Sequence, residues 1–186
     1  MRYLQVCIAA YSGEAGEDVA RKVVQLVDAL VESCSRRGVK LVGFLGGYRG
    51  LMRVAAARLI EHGVPVVLVI PRDYELVDEP DGAIIVRTGM DSKARSAVLV
   101  RSCDVVIVAG GASGTMLEAL AAYGIGVPVV YLTGTGLPSD KLSEAYPNGV
   151  FDERIGRGVY YTRDPGEAGE LACNLGLKSS PWRGSR

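Results

Sequence analysis

The chain has 186 residues, the size of a single domain, and its 21 basic side chains balance 21 acidic ones. A domain that grips nucleic acid through bulk electrostatics carries a basic excess, so that class is excluded and no nucleic acid partner is expected. Hydrophobic residues at 48% and charged residues at 23% exclude a disordered chain, and the unusual feature is 24 glycines gathered in short loops after apolar runs.

The longest apolar run, from Val64 to Ile70, has only seven residues and contains Pro65, far below the roughly 18 that cross a bilayer. Leu4 to Ala10 after Arg2 resembles a short signal peptide, but Gln5 interrupts it and only one positive charge precedes it, so none is expected. The expectation is a cytoplasmic protein with no membrane partner. Cys7, Cys34, Cys103 and Cys173 lie 27, 69 and 70 residues apart among apolar neighbours, and His62 is the only histidine. That spacing offers no zinc site, so four buried thiols and no metal are expected. The four amide side chains (Gln5, Gln25, Asn148, Asn174) are a depletion typical of thermophiles.

In chain order, short β-branched runs at 4–9, 41–45, 66–70, 83–87, 105–109 and 129–132 read as strands. Helical patterns occupy 16–37, 51–62, 91–102 and 115–123, and a last helix runs from Pro165 to about Leu175, with Asp164 placed to cap it. This alternation predicts an α/β fold: one Rossmann-like, doubly wound domain with a mostly parallel sheet over residues 1–177, and a flexible tail at 178–186. Residues 133–158 read as a long loop with a short helix near Asp140–Tyr146.

In open parallel sheets, ligands bind beyond the carboxyl ends of the strands, where helix N-termini point. Two glycine turns fall on that edge. Gly110-Gly111-Ala112-Ser113-Gly114-Thr115 joins a strand to a helix, and its small residues let backbone N–H groups approach a phosphate. It lacks the lysine of a Walker loop and the spacing of a dinucleotide fingerprint. The alternative is a plain turn in which Thr115 and Glu118 form a capping box. The second turn, Gly46-Gly47-Tyr48-Arg49-Gly50, opens the next helix on the same edge, so Gly46, Gly47 and Gly50 join Gly110 as candidates for a shared ligand. Arg95 sits near a helix start against the dipole, which an anionic ligand or a carboxylate would explain. Lys93 is a poorer case, and His62 reads as a C-terminal cap on the opposite edge.

The segments GGYRGLM (46–52) and GGASGTMLE (110–118), with Arg95 lying 23 residues before Glu118, resemble the LONELY GUY family of cytokinin-activating phosphoribohydrolases, formerly called lysine decarboxylases. The resemblance covers about nine tenths of the chain. It implies that Gly111, Ser113, Gly114 and Thr115 hold a nucleotide phosphate, that Arg95 and Glu118 are the catalytic pair, and that the protein is a homo-oligomer, a dimer or higher. Leu45, Gly110 and Ala112 depart from the motifs, and Ser92-Lys93-Ala94-Arg95 replaces M-H-E-R. These departures look more like an archaeal and bacterial branch similar to the molybdenum cofactor carrier protein. The implied function is hydrolysis of a nucleoside 5′-monophosphate to free base and ribose 5-phosphate, with no cofactor required. The alternative is a non-catalytic carrier or sensor of a phosphorylated nucleotide or pterin. Nothing marks a Schiff-base lysine, so a decarboxylase is not expected.

Overall fold

The computed structural model describes residues 3–75, 79–156 and 158–178. Its inner strands are mostly apolar because both faces of the sheet are covered there. In β1 (Tyr3–Ala9), Leu4, Val6 and Ile8 enter one core while Cys7 and Ala9 enter the other. β3 (Val66–Ile70) and β5 (Val105–Val108) divide in the same way. With β2 (Lys40–Leu45), β4 (Ala83–Arg87), β6 (Val129–Leu132) and β7 (Val159–Thr162), they form a seven-stranded sheet in the order β4-β3-β2-β1-β5-β6-β7. Every pairing is parallel.

α1 (Glu17–Arg36), α2 (Gly50–Glu61) and α6 (Pro165–Lys178) cover one face; α3 (Ser92–Arg101), α4 (Ser113–Gly124) and the short α5 (Lys141–Ala145) cover the other. From β1 the chain first winds outward through β2, and after β4 it returns to β5 on β1's other side. The loops after β1 and β5 therefore diverge and open a crevice at the switch point. None of the described helices is long and apolar enough to cross a membrane.

Three expectations are corrected. To the six strands expected, the segment Val159–Thr162 adds a seventh by pairing with β6. Cys7 and Cys103 are buried free thiols, but Cys34 and Cys173 form a disulfide with a Cα–Cα distance of 5.8 Å. The two helices that carry them pack almost backbone to backbone: a Cβ added at Gly169 in α6 would lie 2.5 Å from the Leu30 amide nitrogen in α1. The last helix also runs further than expected, through Lys178, and the remainder of the expected tail, 179–186, lies outside the described residues. The short helix expected near Asp140–Tyr146 is present as α5.

The loop after β1 is fastened to the start of α2, where the Leu51 amide donates to the Tyr11 carbonyl at 2.8 Å. Gly50, with φ of +50°, sits so close to that loop that a Cβ would lie 2.3 Å from the Gly13 carbonyl oxygen. Gly50→Ala meets both a left-handed backbone and an immovable carbonyl, so it should cost at least about 2 kcal/mol in a urea titration. Gly124, which has no neighbour within 4 Å of an added Cβ, supplies the control. Gly124→Ala should shift stability by no more than about 0.5 kcal/mol.

Candidate functional site

Asp91 starts the local chain of causes. Its carboxylate accepts from the Lys93 and Ala94 amides at 2.8 and 3.1 Å, capping α3. These contacts hold the carboxyl below its ordinary range. Capping there fixes the phase of α3, so that Arg95 and Ser96 turn inward while Lys93 stays exposed.

Arg95 Nη1 donates to Glu118 Oε1 at 3.2 Å, and the Ser96 hydroxyl lies 2.9 Å from the same oxygen. The Arg95 and Glu118 side chains are 9% and 10% exposed. Glu118 therefore faces α3 across the cleft floor and closes no capping box, because α4 begins at Ser113 and Thr115 already lies inside its first turn. Burial pushes the Glu118 carboxyl up from its ordinary 4.5, against the opposing pull of Arg95 and Ser96. Arg95 Nε is buried without a hydrogen-bond partner among the described residues. An unsatisfied buried guanidinium nitrogen is costly, so Arg95 is held here with part of its hydrogen-bonding capacity unused.

Gly46 makes this arrangement sterically allowed. A Cβ there would lie 1.8 Å from Arg95 Nη1, so the guanidinium occupies the space that any other residue would fill. On the other side, the N-terminus of α4 follows Ala112, which offers no capping side chain, so the leading amides of the helix face an open cleft.

The cleft has a volume of about 340 Å³. It brings together Gly46, Gly47, Ser113, Gly114 and Thr115 with Arg95 and Glu118. Gly50, Gly110 and Gly111 shape the surrounding backbone and are not among the residues lining it. The Gly111 amide donates to Ser139 Oγ at 2.9 Å, while the Ser139 amide returns a bond to the Gly111 carbonyl at 2.9 Å. Ser139 is fully buried and Tyr131 donates to its carbonyl at 2.8 Å, so the turn before α4 is braced by the segment following β6. The Thr115 hydroxyl tucks over Gly111. His62 lies at the far edge as the C-cap of α2, with Nε2 2.7 Å from Asp28 Oδ1.

Residues 6–166 match the model of the SLOG cluster4 family. The chain belongs to this family. No curated protein matches it. Among solved structures, this SLOG cluster4 chain is similar to TM1055, with 30% identity, 90% of this chain and 97% of the other covered, and a TM-score of 0.73. It is also similar to the molybdenum cofactor binding protein of Rippkaea orientalis, at 22% identity, 94% and 98% coverage and a TM-score of 0.74. The molybdenum cofactor carrier protein of Chlamydomonas reinhardtii gives 22%, 96% and 100%, with a TM-score of 0.70. At that identity the last two establish the fold alone. Sequence reasoning missed two features of this SLOG cluster4 site. Ser96 was legible as the neighbour of Arg95 on an inward turn, whereas Ser139, which lies 28 residues beyond Gly111, carried no signal.

Proposed function

We infer that the protein binds a phosphorylated nucleotide or pterin in this cleft and hydrolyses the N-glycosidic bond of a nucleoside 5′-monophosphate. The observation that carries the reading is the buried Arg95–Glu118 pair beside an uncapped helix N-terminus, with Arg95 Nε unpartnered. The phosphate rests on the amides of Ser113, Gly114 and Thr115. The C1′–N bond then breaks and the base leaves with the electron pair, taking a proton from solvent, to which Glu118 afterwards returns the one it receives from the attacking water. Water adds its hydroxyl to C1′ and gives its proton to Glu118, whose charge also stabilises the oxocarbenium-like state. Arg95 holds the carboxylate in place. The reaction so written uses water and no resident cofactor.

The test is release of free base from AMP, GMP, CMP and UMP at high enzyme concentration. Glu118→Gln should abolish release, a loss of at least about 100-fold, while binding survives. The base must be ionised, so activity should fall as the pH drops through the Glu118 pKa. Burial places that acid limb above the ordinary carboxyl value of 4.5. Binding without any release of base would support the second reading, a carrier, which the similarity to the Rippkaea molybdenum cofactor binding protein and the Chlamydomonas carrier protein favours.

A further inference from the structure

The outer half of the cleft is built differently from its floor. Arg49 places its guanidinium 4.9 Å from the centroid of the Tyr74 ring, and both line the cleft alongside Tyr48 and Met52. Arg49 has no ion-pair partner among the described residues, and Tyr74 is 39% exposed in a short 3₁₀ turn after β3. An exposed tyrosine covered on one side by a delocalised cation forms a flat platform, which suits a planar ring better than a sugar or a chain. At the same end stands Glu79, whose Oε1 accepts from Arg87 Nη2 at 2.7 Å while Oε2 has no such bond among the described residues.

The sheet sets the distance between this platform and the helix N-terminus. From β5, which leads into α4, to β3, which leads into Tyr74, the order β5-β1-β2-β3 takes three steps. At roughly 4.8 Å per step the two ends of the cleft are about 14 Å apart. A pentose phosphate is too short to touch both, whereas a phosphorylated ring compound of nucleotide size spans them.

The geometry points to a ring-selecting subsite formed by Tyr74, Arg49 and Glu79 that takes a 2-amino-4-oxo heterocycle, the ring edge shared by guanine and the pterins. The inference rests on the phosphate seat proposed above. A carboxylate is an acceptor only, so it rewards a ring edge that presents an amino group beside a ring N–H. It repels adenine, whose amino group is flanked by lone pairs. Glu79 selects the ring and takes no part in bond cleavage.

Calorimetric titration with GMP, IMP, AMP, 6-hydroxymethylpterin phosphate and ribose 5-phosphate tests this. The wild type should bind GMP or the pterin phosphate at least about tenfold more tightly than AMP, and IMP, which lacks the 2-amino group, should bind like AMP. Whichever of GMP and the pterin phosphate is tighter identifies the source of the ring. Glu79→Gln should bring all ring-bearing ligands to within about twofold of one another, the guanine and pterin compounds weakening and AMP binding at least as tightly as before. Tyr74→Ala should weaken them by roughly tenfold and leave ribose 5-phosphate untouched. If AMP binds as tightly as GMP and the pterin phosphate, the ring inference is overturned and the phosphate seat stands. If no ligand binds, ribose 5-phosphate included, both fall.

Discussion

Gly46→Ala is expected to lower affinity for a phosphorylated ligand by about 10- to 100-fold, as much as Arg95→Ala, although Gly46 carries no side chain of its own. The added methyl would stand 1.8 Å from Arg95 Nη1, so the guanidinium must leave Glu118 and the cleft floor. The backbone at Gly46 is not in the left-handed region, so the damage is confined to the site. A double-mutant cycle gives the decisive readout. With Arg95 already truncated, the alanine methyl meets an empty space, and Gly46→Ala combined with Arg95→Ala should bind no worse than Arg95→Ala alone. Additive losses would mean that Gly46 acts on the ligand directly and that the steric account is mistaken.

The largest effect on stability is expected from the Cys34–Cys173 bond. It joins residues 139 apart in sequence, a loop so long that the chain-entropy treatment assigns the crosslink about 5 kcal/mol. Reduction, or Cys34→Ser, should therefore cost about 2–5 kcal/mol and lower the melting temperature by roughly 10 °C for a chain of this size. Thermal unfolding with and without reductant measures the effect. Thiol titration of the unfolded, unreduced protein should count the two free cysteines, Cys7 and Cys103. Equal melting temperatures under the two conditions would show that the crosslink contributes nothing. The ligand cleft is formed by elements other than α6, so affinity at low temperature should be unaffected.

Some of this was legible in the residues and some was not, for reasons of range. Val66–Ile70 and Val129–Leu132 were readable to the residue because a strand buried on both faces is a continuous β-branched run. Val159–Thr162 was not, since it is short, follows a glycine-rich loop and becomes a strand only by pairing with β6. Arg95 stood out from the residues because it lies near a helix start against the dipole, whereas Glu118 read equally as a capping residue and was paired with Arg95 only through the resemblance of GGASGTMLE to the family motif. The disulfide pairing could not, because it depends on α1 and α6 lying side by side, which no local pattern encodes. Tyr74 and Glu79 belong to the stretch between β3 and β4 that has only a 3₁₀ turn, where periodicity offers nothing to read.

Ser139 bears on how the phosphate seat proposed above would respond to its guest. Because Gly111 is clamped in both directions by a fully buried serine, the loop ahead of α4 is braced by the protein's own bonds. The entropy of ordering it is settled during folding, and a ligand meets a mould and not a flap. Tolerance for a differently shaped anion is correspondingly narrow. A lesion at Ser139 would slacken the mould from behind, altering recognition without removing any atom that the ligand touches.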